Sequence, residues 1–210
     1  MRRASALLAV LLLAGCGGGQ HATTTTDVNG CVPVRATSTS ARTRPKPTTN
    51  LDLALKYDVT FSTNCGEFTV RLDPKQSPNA AASVAALAES GYYDGTTFFK
   101  IAATYIQGGD PTATGTGGPG YTTHDPPPAN ARYTHGVVAM AKTGAQPSGT
   151  AGSQFFVVTA ADAGLTPNYA IVGTVVQGLD VVDRIGKLEG ANGRPSETVE
   201  IQHASFASFK

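Results

Sequence analysis

Charge is scarce in this chain. Of 210 residues 15% are Asp, Glu, Lys or Arg, the formal net charge is +1, and no run of Lys and Arg forms a basic stripe. Binding to nucleic acid in general needs several cations along the phosphate backbone, so that class of partner is excluded. So few charges suit a helical bundle poorly, whereas 24 glycines fit a loop-rich β architecture. No His or second Cys stands at ligand spacing from any of the 3 cysteines, so no metal is expected. No Gly-x-Ser-x-Gly presents a serine nucleophile, and His21, His124, His135 and His203 have no evident nucleophile beside them, which removes the hydrolase reading. The Gly- and Pro-rich stretch 108–128 lacks the Gly-Lys-Ser or Gly-Lys-Thr ending of a phosphate loop.

The N-terminus carries an address. Arg2 and Arg3 precede an apolar run over 4–14, too short to span a bilayer as a mature helix, and Leu13-Ala14-Gly15-Cys16 follows. That order resembles the bacterial lipobox, in which the cysteine becomes the lipid-modified first residue; the alternative is a secretory signal with an incidental cysteine. Acyl chains contribute about 0.8 kcal/mol per buried methylene, so a multiply acylated Cys16 would hold the protein on a membrane surface. The expectation is a signal peptide over 1–15, a flexible tether over 16–50 and a folded domain over 51–210, working outside the cytoplasm and anchored by lipid to a bacterial membrane. The tether is Gly-, Thr-, Ser- and Pro-rich and cannot bury enough apolar surface to fold alone.

Cys31 and Cys65 remain as a pair in an oxidising compartment. A disulfide between them would close a loop of about 35 residues, worth about 4 kcal/mol on the chain-entropy model. The other reading is two buried thiols.

Within the domain, 54–62 and 67–72 are β-rich runs joined by Thr63-Asn64-Cys65-Gly66, a hairpin signal. Ser77 then Pro78 predicts a helix start, continued over 80–89 and stopped by Gly91. Further strands are predicted over 136–141, 155–159, 169–175 and 198–203, with a short helix over 179–185. About eight short strands and two helices predict a mainly β protein, a closed eight-stranded barrel capped by helices.

Two stretches carry candidate chemistry. Residues 98–110 form an apolar segment with Lys100 and Gln107 before Gly108-Gly109-Asp110, and 152–158 form a second strand-like run with Gln154 beside Phe155 and Phe156. Alternate residues of a strand share a face, so two such strands can gather Lys100, Gln107, Gln154 and Phe156 into one patch, an apolar floor with a few hydrogen-bonding groups.

In order, Phe-x-basic, Gln-Gly-Gly-Asp-Pro at 107–111, Gly-Thr-Gly-Gly-Pro-Gly-Tyr at 115–121, Val-Ala-Met-Ala at 138–141 and Gly-Ser-Gln-Phe-Phe at 152–156 are similar to the cyclophilin family of peptidyl-prolyl isomerases. The likeness covers about 52–206. It implies a closed barrel with helical caps, rotation about X–Pro bonds in proline-containing segments of exported proteins, no cofactor, and a monomer. Lys100 stands where the family has its catalytic arginine and Gln107 where a glutamine contacts the peptide. Gln154 and Phe156 match a backbone-holding amide and the pocket wall, Met140, Ala141 and Leu165 match the pocket's surroundings, and Tyr105 replaces a pocket phenylalanine.

The departures are specific. Phe99 replaces a histidine, Lys100 an arginine, Gly164 a tryptophan common in the family, Tyr169 a histidine near the proline, and Lys142 a backbone-binding asparagine. Lysine lacks the guanidinium fork, so weakened isomerase activity is expected. Without the tryptophan, a family drug contact, poor cyclosporin binding is expected too. The rival reading is a cyclophilin-shaped chaperone or scaffold that grips proline segments without turning them over.

Overall fold

The computed structural model describes residues 30–35 and 40–210. The signal segment and Cys16 lie outside the described residues. Among those described, no helix is long and apolar enough to cross a membrane.

The strands are β1 (Lys56–Thr63), β2 (Gly66–Leu72), β3 (Thr96–Thr97), β4 (Lys100–Ala102), β5 (Tyr105–Gly108), β6 (Thr123–His124), β7 (Val137–Met140), β8 (Thr150–Ala151), β9 (Phe155–Val158), β10 (Ile171–Gln177) and β11 (Glu200–Phe209). The helices are α1 (Pro78–Glu89) and α2 (Leu179–Gly186). Nine strands form one antiparallel sheet in the order β3-β11-β1-β2-β10-β7-β9-β5-β4, and β6 pairs with β8 alone. Eleven strands form where about eight were expected, nine of them in the main sheet, and the run from Thr96 to Ala102 is split into β3 and β4 at Phe98 and Phe99. There Phe98 turns fully into the core and donates its amide to Val199 O at 2.9 Å. The two edge strands β3 and β4 are therefore consecutive in the chain, and the sheet curls until a lone Thr97–Asp110 bridge spans the seam.

Alternation sorts each strand onto two faces. Inward residues such as Phe61, Phe68, Ile101, Ile106, Met140 and Phe155 share one buried core with both helices. Phe61 is central to it, with ring centroids 5.0 Å from Phe155 and 5.2 Å from Phe68. Outward residues of β7, β9 and β10 form a second, smaller cluster around Phe156, Ala139 and Ile171.

The start of α1 departs from expectation. Ser77 occupies the cap position but its side chain makes no capping bond. Asp125 caps from a distance instead, accepting from Ala80 N at 2.6 Å and Asn79 Nδ2 at 2.7 Å, so a carboxylate sits on the first turn, whose amides have no partner within the helix.

Cys31 and Cys65 are disulfide-bonded, and the flanking chain is laced to the β1–β2 turn by Val32 N to Asn64 O at 2.7 Å and Asn64 Nδ2 to Val32 O at 2.8 Å. Part of the stretch read as tether also lies on the domain. Arg42 donates to Tyr92 O at 2.8 Å and Asp94 O at 2.7 Å, Arg44 N to Pro119 O at 2.9 Å, and Lys46 Nζ to Thr122 O at 3.0 Å. Contact with the domain therefore begins before residue 50. Apolar content does not register this, because the attachment is made by cations and a backbone amide on backbone carbonyls.

Candidate active site

β4 and β5 form a hairpin turning at Ala103 and Thr104, with Lys100 opposite Gln107 and Ala102 opposite Tyr105. Its inward residues Ile101 and Ile106 are fully buried, which fixes the register and turns Lys100, Tyr105 and Gln107 outward. On the next strand Gln107 faces Phe156, and Phe156 in turn faces Ala139 on β7. A cation, an amide and an aromatic ring thus stand in one row across three adjacent strands.

Above the row lies a hollow of about 150 Å³. Phe156 is its floor, Tyr105 and Tyr169 its walls, and Lys100, Gln107, Ala141, Lys142 and Leu165 complete it. Tyr105 and Tyr169 each place a ring centroid 5.3 Å from that of Phe156, Tyr169 at 90°. The Lys100 ammonium lies 5.3 Å from the Tyr105 ring centre and the Lys142 ammonium 5.6 Å from that of Tyr169. A cavity of roughly this size accepts one small ring.

Tyr133 supports this wall and was not foreseen. Its hydroxyl donates to Tyr169 O at 2.8 Å and accepts from Tyr169 N at 2.9 Å, and its ring packs 6.1 Å from Phe156. It lies in an irregular segment, where no strand or helix period could have marked it.

Gln154 is held beside the hollow rather than in it. It accepts from Gln107 Nε2 at 3.0 Å and donates to Gly117 O at 2.9 Å. A second hollow of about 290 Å³ opens there, lined by Gln107, Gln154, Gly117, Tyr121 and Gln146, and sharing Ala141 and Lys142 with the first. Of the loop over 142–151, Lys142, Thr143 and Gln146 border this larger hollow, and only Lys142 reaches the smaller one.

Behind both sits Asp110, fully buried. It accepts from Thr112 N at 2.7 Å, Thr112 Oγ1 at 2.8 Å, Gly115 N at 2.7 Å and Gly117 N at 3.1 Å. Burial pushes its carboxyl up, but the bonds from the amide and hydroxyl of Thr112 and the amides of Gly117 and Gly115 outweigh burial and hold it below the usual carboxylate range. The glycines are sterically required: a Cβ on Gly117 would lie 2.0 Å from Asp110 Oδ1, and one on Gly109, whose φ is +81°, 2.6 Å from Ser153 O.

Of the residues expected at the site, Lys100, Tyr105, Gln107, Ala141, Phe156, Leu165 and Tyr169 line the smaller hollow and Gln154 the larger. Met140 does not belong. It is fully buried in the main core, opposite Phe155, because Met140 and Ala141 are adjacent in an extended segment and only one can face outward. Ala139 shares the outward face instead. Phe99 and Thr114 lie on a separate hollow beyond Lys100. His135 and His203 sit in surface pairs with Asp183 and Asp94, away from these hollows.

A curled antiparallel sheet bearing an aromatic-walled, ring-sized hollow edged by two cations and one carboxamide, with a second carboxamide bonded beside it, defines a peptide-binding barrel of the isomerase kind. The cyclophilin type peptidyl-prolyl cis-trans isomerase/CLD family model matches residues 58–206, and the chain belongs to that family. A peptidyl-prolyl cis-trans isomerase of Arabidopsis thaliana is 37% identical over 150 residues, 69% of this chain and 90% of that protein. Peptidyl-prolyl cis-trans isomerase-like 1 of Homo sapiens is 38% identical over 150 residues, 69% of this chain and 89% of that protein. The crystal structure of a cyclophilin type isomerase of Cryptosporidium parvum superposes with a TM-score of 0.67 at 31% identity, covering 74% of this chain and 99% of that one. A further structure of that protein, in the presence of the dipeptide Ala-Pro, gives a TM-score of 0.65.

Proposed function

We propose that this chain accelerates rotation about X–Pro bonds in polypeptides outside the cytoplasm, from a bacterial membrane surface to which a lipidated Cys16 ties it. The observation that carries the catalytic part is the row of Lys100, Gln107 and Phe156 under one small hollow. Amide resonance leaves a rotation barrier of roughly 18–20 kcal/mol, and an X–Pro bond turns over unaided in tens to hundreds of seconds. The twisted transition state loses resonance and its nitrogen becomes pyramidal, able to accept a hydrogen bond. With the proline ring between Tyr105, Phe156 and Tyr169, the Lys100 ammonium supplies a donor for that nitrogen, and Gln107 and Gln154 orient the backbone. These contacts favour the twisted form over either planar one. Lysine offers a point charge on a flexible stem, so the rate falls short of that from a guanidinium at the same place.

The Cys31–Cys65 disulfide supports work in an oxidising compartment, as the signal-like N-terminus does. A protease-coupled or NMR exchange assay on a proline tetrapeptide, with the exported chain carrying Cys16→Ser, tests the activity. An unaccelerated rate with measurable binding would leave a peptide-binding module in its place. Recovery of the native chain in the membrane fraction, and of the Cys16→Ser chain in the soluble one, tests the anchor.

A further inference from the structure

Resting on the isomerase reading, the charge of the groove narrows the substrate class. Two ammonium groups edge the small hollow, Lys100 over Tyr105 and Lys142 over Tyr169, and no carboxylate lines it or the adjoining larger hollow. Among the described residues neither lysine is in a salt bridge; the ion pairs there engage Arg71, Arg132, His135, Arg184 and His203.

Lys142 is also held in place. Its Nζ donates to Gln146 O at 3.0 Å and Thr143 O at 3.2 Å, which fixes the ammonium at the rim shared by both hollows. An ammonium has three donors, so one remains for a ligand. The nearby carboxylates do not cancel this charge. Asp162 is tied to Arg132, and Asp110 lies buried with its oxygens taken by Thr112, Gly115 and Gly117.

We propose that the groove selects proline segments bearing an acidic side chain within one to three residues of the proline, with Lys142 as the residue that reads it. With the proline ring in the small hollow, neighbouring residues of an extended chain pass over Gln107 and Ala141 into the larger one, at about 3.3 Å per residue. Lys142 stands at that crossing. A carboxylate there meets an immobilised cation beside the Tyr169 ring, where attraction exceeds that of a freely solvated pair.

The test compares proline pentapeptides with Glu, Gln or Lys at each of the three positions on either side, at low and high salt, on the exported chain carrying Cys16→Ser. Both acceleration and affinity by NMR titration are read. Expected is a preference for Glu over Lys of about threefold to tenfold at one or more positions, shrinking at high salt. Lys142→Gln should lose the preference and Lys142→Arg keep it. Equal affinities and rates for Glu, Gln and Lys peptides, or a preference unchanged in Lys142→Gln, would overturn the acidic selectivity whatever the absolute rates. A Glu preference in binding with no acceleration of any peptide keeps the selectivity and removes the isomerase reading instead.

Discussion

Gln107 donates its side-chain amide to Gln154 at 3.0 Å, although the two residues lie 47 positions apart. That bond joins the β4–β5 hairpin to the approach to β9 and passes on through Gln154 to Gly117 O at 2.9 Å. The amides facing a peptide are therefore coupled to the glycine-rich loop that borders the larger hollow, and through it to the buried Asp110.

Lys100 should dominate catalysis without affecting folding, since its side chain is exposed and its strand is held by Ile101. Lys100→Ala is expected to lower kcat/KM by about a hundredfold, the scale for losing one transition-state donor, with an unchanged thermal midpoint. Lys100→Arg should raise it several-fold, because the guanidinium fork is better preorganised. A protease-coupled assay reads both.

Gln154→Ala removes the acceptor for Gln107 and the bond to Gly117 O together. The loop then loses its tie to the groove, so KM is expected to rise about fivefold to tenfold, with a smaller change in kcat. Peptide titration by NMR should show the same weakening.

Asp110 links stability to pH. Its carboxyl is held below the ordinary value, so the stability it contributes is fully present above the unfolded carboxylate pKa, about 3.9, and is lost as pH falls through the folded value. Thermal melts from pH 6 downward should show this acid loss. Asp110→Asn should flatten that part of the profile and cost roughly 2–3 kcal/mol at neutral pH, because an amide NH₂ would face the amides of Gly115 and Gly117.

Reduction of the Cys31–Cys65 bond, which spans 34 positions, should lower stability by about 2–4 kcal/mol through the freed loop alone. Denaturant titrations with and without dithiothreitol measure it. The groove is built from other strands, so peptide binding well below the unfolding transition should be unaffected.

The Arg42–Lys46 strap touches Pro119 and Thr122, both on the wall of the larger hollow. Arg42→Ala should cost about 1.5–3 kcal/mol for its two charged bonds to Tyr92 O and Asp94 O. With Lys46→Ala added, KM should rise more than kcat falls, as the wall loses support.

Much of this was legible in the chain because strands alternate. Alternation turns Lys100 and Gln107 outward from Ile101 and Ile106, and Phe156 outward from Phe155, whereas the pairing of these strands shows only in the folded sheet. Gly109 and Gly117 were visible as glycines, but the clashes that require them involve Ser153 and Asp110, and only the packed structure brings those atoms near. Met140 was misplaced because an ordered match of residues says nothing about which neighbour faces out.

By itself the sequence determined the barrel class, the two helices, and the cation, amide and aromatic group of the groove. Only the tertiary structure decided that Asp125 caps α1, that Tyr133 clamps Tyr169, that cations in a supposedly free tether grip the domain, and that Lys142 joins Lys100 on one hollow. The first set rests on local periods of side-chain direction, which any short stretch displays. The second depends on hydrogen bonds and contacts between residues far apart in the chain, which exist only after the sheet has curled.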